Sequence, residues 1–136
     1  LIKVYPGFNK DVLDFYLDKG YHGLVIEGTG FGNVATLHES NSLLPALKRA
    51  ADEKIPVVMT SQTIYGRTNP YVYTTMRKLN IGAKVIYAED ILPEVAYIKL
   101  GWVLGHTQNY DEVKKIMLTN IAGEISERSE PEGFLY

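Results

Sequence analysis

A short apolar run that passes directly into a glycine-rich turn decides the fold of this chain: residues 23–33 read GLVIEGTGFGN. Similar β-rich runs lie before and after it, at 2–5 and 57–60, and helical patterns separate the three. Such alternation is typical of a parallel sheet covered by helices. We therefore predict an α/β, Rossmann-like (flavodoxin-like) three-layer domain, with a short parallel sheet of about four strands between helices.

Apolar residues at helical spacing predict where the chain forms helices. The first helix should follow Asn9 as its cap and leave through Lys19-Gly20, and the second should be capped by Ser40 or Asn41. Beyond these, the pattern predicts a helix near 73–80, a strand at 84–86, a helix within 91–104 and a helix at 110–118.

The predicted helix within 91–104 is apolar nearly all round, so it should be buried on most sides. An interface with another subunit or domain is the simplest explanation of that pattern. We interpret Glu89 and Asp90, just before it, as capping residues, because carboxylates accept from free N–H groups at a helix start. The polar tail at 124–136 is expected to be loosely ordered or to need a missing partner.

Composition limits the classes of function that the chain can have. Its 136 residues fit one domain, and no stretch approaches the roughly 20 apolar residues that cross a bilayer. The net charge of -2 argues against autonomous nucleic-acid binding. We interpret Arg67, Arg77, Lys78 and Lys84 as a solvated helix face with its flanks. The absence of cysteine excludes disulfides and thiolate metal sites, and it is compatible with a reducing cytosol.

The glycine-rich turn at 28–33 is the most informative candidate for a site. It follows the second strand, and loops at the carboxyl ends of parallel strands line the ligand crevice. Gly30 and Gly32 permit positive φ angles and a close approach of a ligand or another chain. The G-x-G-x-G spacing differs from the dinucleotide-binding fingerprint, and a simple tight turn stays an open alternative. Asn33 offers a donor and an acceptor to a carboxylate, an amide or a neighbouring loop.

A second group of polar residues follows the third strand, in a loop of about ten residues. It begins with Thr60, Ser61 and Gln62 and continues to Tyr65. The hydroxyls could contact a ligand, but activation of one as a nucleophile would need an adjacent base, and none is evident. Histidines occur singly, without the spacing of metal ligands, so we predict no metal site; they are His22, His38 and His106.

Several segments, in the same order, resemble the C-terminal domain of asparaginase-type amidohydrolases. They read GTGFGN at 28–33, PVVMTSQTIYGR at 56–67, AEDILPEVA at 88–96, KLGWVLG at 99–105 and MLTNIAGEI at 117–125. The resemblance covers nearly the whole chain and is greatest to the D subunits of archaeal glutamyl-tRNA(Gln) amidotransferases. Type I L-asparaginases are the alternative, and a free-standing flavodoxin-like binding module is a second alternative.

The resemblance implies amide hydrolysis by a longer protein. In that family the asparaginase-like subunit releases ammonia from glutamine or asparagine. A companion E subunit, on which ATP and Mg are expected, uses the ammonia to convert Glu-tRNA(Gln) to Gln-tRNA(Gln). The family's threonine nucleophile, in a T-G-G-T-I motif, and its Thr-Asp pair with a lysine base lie in an N-terminal domain. This sequence contains none of these motifs, so residues 1–136 are expected to be a C-terminal fragment without catalytic residues that hydrolyses nothing alone.

The resemblance also implies partners. Active sites of asparaginases lie between subunits, and this domain lends residues to the catalytic domain of a neighbour. The expected partners are therefore the chain's own N-terminal catalytic domain, a second copy bound through this domain, the E subunit and, indirectly, tRNA(Gln). The implied location is cytoplasmic, with no membrane contact, and no cofactor is expected on this domain.

Individual roles follow from the alignment with the family's turn. Asn33 matches the asparagine of that turn and is the first candidate for supporting the neighbouring site, with Gly30 and Gly32 shaping the backbone. Further candidates lie in the loop after the third strand: Ser61, Gln62 and Tyr65. In bacterial asparaginases a glutamate from this loop region contacts the substrate's amino group. No equivalent can be placed at 65–70, which puts direct substrate contact from the loop in doubt.

Overall fold

A four-stranded parallel sheet between two layers of helices forms the centre of the computed structural model, which describes residues 1–133. The sheet and the order of its elements confirm the predicted α/β three-layer class. The elements are β1 Ile2–Lys3, α1 Asp11–Asp18, β2 Leu24–Gly28, α2 Leu44–Asp52, β3 Val57–Ser61, α3 Thr74–Arg77, β4 Ile86–Tyr87, α4 Pro93–Leu104 and α5 Tyr110–Met117. A π-helical turn, Lys78–Gly82, continues α3, and a 3-10 turn spans Pro131–Gly133.

The topology explains how the helices divide between the two faces. The strands lie in the order β1-β2-β3-β4, so each crossover moves one strand further in the same direction. Crossovers between parallel strands are right-handed, which places α1, α2 and α3 on one face. The helices α4 and α5 follow the last strand and pack on the opposite face.

Side chains of the two central strands alternate between these two layers. Ile26 and Met59 belong to the core under α1, α2 and α3, whereas Val25 and Val58 belong to the core under α4 and α5. All four are at most 2% exposed. Because both faces are covered, the central strands read as continuous apolar runs rather than as an alternating pattern.

The cap predicted for α1 is confirmed, whereas the cap predicted for α2 was wrong. The Asn9 side chain accepts a hydrogen bond from the Asp11 N–H at 2.9 Å, as expected of a cap. The α2 helix begins at Leu44, and Ser42 Oγ accepts from its N–H at 3.3 Å, so neither Ser40 nor Asn41 is the cap. A proline occupies the first turn of α2, where its fixed φ suits the start of a helix.

Other boundaries differ from the sequence prediction by a few residues. The strand predicted at 84–86 is Ile86–Tyr87, because Lys84 has a φ of +50°, which is incompatible with extended backbone. The helix predicted near 73–80 is the short α3 followed by the π-helical turn. The first strand ends at Lys3 rather than at residue 5.

The prediction that Glu89 and Asp90 cap α4 was wrong. Leu92 is the N-cap residue, and no side chain accepts from the start of that helix. Glu89 has a φ of +56°, so the chain turns sharply there, and both carboxylates point to Arg67. Arg67 is therefore a half-buried ion-pair partner rather than part of a solvated helix face.

The helix α4 is apolar nearly all round, as predicted, but its outer side is not covered by the described residues. Its inner side chains pack on the sheet, while Ile98 is 69% and Trp102 51% exposed. The following segment lies against this helix: Ile125 is buried, and Glu124 forms an ion pair with Lys99 at 2.5 Å. Apart from these contacts, the loose order expected of the tail at 124–136 stays a prediction. Residues 134–136 lie outside the described part of the chain. Within that part, no helix is long and apolar enough to span a bilayer.

Candidate functional site

The glycine turn folds back on itself at the carboxyl end of β2. Thr29 N donates to Asn33 O at 3.0 Å, and Asn33 N donates to Thr29 O at 2.8 Å, so the two residues form a small antiparallel bridge. Gly30 and Gly32 have φ angles of +51° and +96°. Both angles lie in the left-handed region, which these glycines were expected to permit and which other residues adopt only with strain.

Close packing beneath the turn fixes its position on the sheet. A Cβ added to Gly28 would lie 2.8 Å from the backbone of Gly32 and 2.7 Å from Met59 Sδ, closer than atoms can approach. The hydroxyl of Tyr87, which lies in the outermost strand β4, donates to Gly32 O at 3.2 Å. Burial raises the pKa of Tyr87, so this hydroxyl keeps its proton and remains a donor.

Asn33 ends the turn with a half-buried carboxamide. Its Oδ1 accepts a hydrogen bond from Thr75 Oγ1 of α3 at 3.2 Å. The residue also lines a cavity of about 340 Å³, together with Tyr5, Phe8 and Asn41. Asn41 Oδ1 is buried and has no hydrogen-bond partner among the described residues. The turn thus presents amide groups at the carboxyl edge of the sheet, where the sequence placed the candidate site.

The hydroxyls at the end of β3 are engaged with backbone carbonyls. Thr60 Oγ1 donates to Ile26 O at 3.1 Å, and Ser61 Oγ donates to Gly30 O at 2.6 Å. Ser61 Oγ also accepts from Thr63 N at 3.0 Å. A hydroxyl that donates to a carbonyl has no base to accept its proton, so neither side chain is arranged as a nucleophile. Ser61 instead connects the two loops of the site.

Gln62 acts as a clamp between strand ends. Its Nε2 donates to Val4 O at 2.6 Å and to Glu27 O at 2.9 Å, while its backbone N donates to Gly28 O at 2.9 Å. These contacts tie the chain leaving β1 to the ends of β2 and β3. The Gln62 side chain therefore points toward the strand ends and holds them together beneath the loop.

Tyr65 lies further along the loop after β3 and is 49% exposed. It is one of several large aromatic side chains that remain accessible in the loops at the carboxyl edge. These are Tyr5, Phe31, Tyr65, Tyr71 and Tyr73. The Phe31 and Tyr73 rings approach with centroids 6.5 Å apart. Aromatic rings with a polar tip suit surfaces that become half-buried against another chain or domain.

Arg67 joins this loop to the chain before and after α4 and α5. It forms ion pairs with Glu89 at 2.9 Å and Asp90 at 3.3 Å, and its guanidinium donates to Ser126 O at 2.8 Å. Ser126 also donates to the Asp90 carboxylate. Burial alone would raise the pKa of Asp90, but the Ser126 hydrogen bonds and the Arg67 charge outweigh it and lower that pKa.

Two contacts of the site were not found by reading the sequence. Thr75 lies 42 residues after Asn33, and no local pattern marks it as the partner of that carboxamide. Sequence proximity alone places Arg67 with Arg77, Lys78 and Lys84, and it gives no sign of the Arg67 ion pairs. A single bulky cation within a glycine- and proline-containing loop is the signal that could have set it apart. Across residues 1–133, no cluster of three or more histidine or carboxylate side chains could hold a metal ion.

Comparison with known proteins gives consistent matches. The chain is 58% identical over 126 residues to the D subunit of glutamyl-tRNA(Gln) amidotransferase from Pyrococcus abyssi, covering 93% of this chain and 27% of that protein. It is 56% identical over 135 residues to the corresponding protein of Pyrococcus furiosus, covering 99% of this chain and 30% of that protein. The chain thus spans under a third of the length of these curated relatives.

Solved structures share the fold. A thermostable L-asparaginase from Thermococcus kodakarensis superposes with a TM-score of 0.81 at 36% identity, over 93% of this chain and 38% of that one. L-asparaginase I from Vibrio cholerae gives 0.79 at 31% identity, over 92% and 37%. Residues 1–117 match the family described as the Glutaminase/Asparaginase C-terminal domain. This match includes the sheet, the glycine turn and the loop after β3, and the chain therefore belongs to the Glutaminase/Asparaginase C-terminal domain family.

Proposed function

We propose that this chain is the C-terminal domain of the asparaginase-like subunit of a tRNA-dependent amidotransferase. The whole subunit would release ammonia from glutamine or asparagine for conversion of Glu-tRNA(Gln) to Gln-tRNA(Gln). The observation that carries this proposal is the 58% identity to the D subunit of a glutamyl-tRNA(Gln) amidotransferase over 93% of the chain. The companion subunit would bind ATP and Mg and contact the tRNA.

The geometry favours a supporting rather than a catalytic role for this domain. The hydroxyls of Thr60 and Ser61 donate to carbonyls, so neither is arranged as a nucleophile, and we expect the nucleophile and its base to come from another part of the protein. What this domain offers is a rigid turn that ends in the Asn33 carboxamide. We expect that carboxamide to support the active site of a neighbouring subunit, with Gly30, Gly32 and Ser61 holding the turn in place. Gln62 and Tyr65 would serve as the inner clamp and the outer rim.

Asn33 provides the direct test of this role in the full-length protein. Asn33→Ala should lower kcat/KM for glutamine hydrolysis by up to roughly a hundredfold, the lower end of the loss expected when an oriented donor to the transition state is removed, because Asn33 only supports the site. Ammonia release at several glutamine concentrations measures this loss.

Asn80→Ala is the matched control for Asn33→Ala. Asn80 is also half-buried and makes one hydrogen bond, from Nδ2 to Val85 O at 3.1 Å, but it precedes β4 at the opposite edge of the sheet. Equal losses in the two variants would show that the Asn33 effect is a general loss of stability, and the proposed role would be wrong.

A type I L-asparaginase is the second candidate, because two L-asparaginases share the fold at TM-scores of 0.81 and 0.79. The two functions differ in what the full-length protein does with its ammonia. Glutamine-dependent formation of Gln-tRNA(Gln) in the presence of ATP, Mg and a companion subunit would establish the amidotransferase. Hydrolysis of asparagine, with no capture of that companion by the full-length protein, would establish the asparaginase.

Assembly and location complete the proposal. The uncovered outer side of α4, with Ile98 and Trp102 exposed, suits a contact with a second copy, and we expect a homodimer formed through this domain. The proposed reaction takes place in translation, so the proposed location is the cytoplasm.

A further inference from the structure

The loop after β3, at 62–71, is held from two sides. Toward the glycine turn, Ser61 Oγ donates to Gly30 O at 2.6 Å and Asn69 N donates to Phe31 O at 3.0 Å. Toward the chain before α4, Thr68 donates to Glu89 O from its backbone N at 2.7 Å and from its hydroxyl at 3.1 Å. The loop is therefore the link between the Asn33 turn and the segment at 89–90.

Arg67 extends this link to the segment that follows α5. Its guanidinium reaches Glu89, 22 residues away, and Ser126, 59 residues away in sequence. Ser126 is bound in turn by the Asp90 carboxylate. Guanidinium groups suit this task because their planar fork of N–H donors can bind several acceptors in fixed directions. One side chain thus connects the loop with Tyr65 to the C-terminal segment.

The position of these groups argues against a role in stability alone. The Arg67 side chain is 22% exposed, and its partners Glu89 and Asp90 are 40% and 25% exposed, so solvent partly screens these ion pairs and reduces what they contribute to the free energy of folding. The arginine does restrain where the loop lies. Residues around Arg67 also border a cavity of about 490 Å³ that contacts Tyr65, Asp90 and Ser126, so the loop has room to move if the restraint is lost.

We propose that Arg67 is a positioning residue for the site loop and that Ser126, held by Asp90, is its anchor. This inference rests on the proposed function, because the loop acts on substrate only if the neighbouring site exists. The contact between Arg67 and Ser126 then sets what fraction of the protein has its loop in the position that binds substrate. The apparent affinity for glutamine falls in proportion to the fraction of the protein whose loop is in place.

Arg67→Ala in the full-length protein tests the inference through a split between KM and kcat. KM for glutamine should rise roughly tenfold, the effect of reducing the ready loop population to about a tenth, while kcat changes by less than about twofold. Arg67→Lys should recover little, since an ammonium cannot reproduce the fork of contacts.

The matched control is Arg49→Ala. Arg67 binds two carboxylates and Ser126, and Arg49 likewise has three partners, Asp14 at 3.0 Å, Asp18 at 2.6 Å and Glu53 at 2.7 Å, but it joins α1 to α2. Its loss should leave both kinetic constants unchanged.

Deletion of residues 126–136 tests the anchor. The deletion should raise KM as much as Arg67→Ala does, and Arg67→Ala should add nothing further in the deleted protein, because both changes break the same contact. Additive effects on KM would mean that the arginine and the segment act separately, and the proposed coupling would be wrong.

Hydrogen exchange of amides at 62–71 separates this inference from the proposed function. Arg67→Ala and the deletion should both speed exchange there, while Arg49→Ala should not. Faster exchange with an unchanged KM overturns the positioning role, and unchanged exchange overturns the anchor. An unsubstituted full-length protein that releases no ammonia overturns the proposed function, and with it the role in substrate binding, whatever the exchange shows.

Discussion

The carboxyl edge of the sheet and the outer side of α4 are opposite kinds of surface. At the edge, Thr60, Ser61 and Gln62 are bound to the domain's own backbone, so the turn and its loop are preformed. On α4, Ile98 and Trp102 stand exposed in an apolar surface that the described residues do not cover. Thr60, Ser61 and Gln62 thus form hydrogen bonds within the domain, whereas the apolar side chains of Ile98 and Trp102 remain exposed. The backbone at the carboxyl ends of the strands is therefore held in place by the domain itself, whereas the exposed apolar surface of α4 suits association with another surface.

The largest effect should come from Lys99→Ala, which breaks the ion pair behind the α4 surface. Lys99 and Glu124 side chains are 7% and 8% exposed and 2.5 Å apart, and Lys99 also donates to Thr119 O at 2.6 Å. Removing the lysine leaves a nearly buried carboxylate without its cation, a change that costs about 3–5 kcal/mol. Chemical denaturation measures it. The double variant Lys99→Met with Glu124→Gln should recover much of the loss, since it leaves no unpaired charge.

Acid titration of stability gives an independent check on that pair. The Lys99 hydrogen bond lowers the pKa of Glu124 from 4.5 to about 2, against the opposing effect of burial and with help from the Ala122 N–H. As the pH falls, Glu124 therefore takes up its proton in the unfolded chain before it does so in the folded chain. The stabilisation that this carboxylate gives is complete above pH 4.5 and is lost as the pH falls to about 2. In Lys99→Ala this acid-dependent loss should shrink. An equally steep fall in both proteins would contradict the assigned pair.

Alanine substitution at two glycines, one in each surface, should change the free energy of unfolding by smaller amounts and with opposite signs. Gly28→Ala should lower the free energy of unfolding by about 2 kcal/mol, because its Cβ meets the backbone of Gly32. Gly101→Ala, within α4, should raise it by about 0.5–1 kcal/mol, since a Cβ there meets nothing within 4 Å and alanine favours the helix. Thermal unfolding of both variants checks the two signs. A tolerated alanine at Gly28 would show that the edge is less rigid than the contacts indicate.

The sequence predicted the fold well because its signals are local and periodic. Apolar runs bounded by turns identified the strands, and the glycines at 30 and 32 permit the positive φ angles that the turn adopts. The errors have a different origin. Carboxylates ahead of an apolar helix look like caps, but tertiary contact with Arg67 determines where Glu89 and Asp90 point. Thr75 was missed for the same reason, because its contact with Asn33 depends on how α3 packs rather than on any local pattern.

The smallest effect on stability should come from Ile98→Lys on the outer side of α4. The side chain is 69% exposed, so its replacement should change the free energy of unfolding by less than about 0.5 kcal/mol. Dimer formation should be weakened much more than folding. A lysine at the centre of an apolar contact must either lose its hydration, which is costly, or keep the two surfaces apart. Light scattering on the full-length protein at decreasing protein concentration measures this. On dilution, the dimer of the variant should dissociate at a higher protein concentration than the dimer of the unsubstituted protein. Leu37→Lys is the matched control, at a side chain that is 73% exposed and lies outside α4. An unchanged dimer in Ile98→Lys would remove α4 from the interface and leave its apolar surface to another partner.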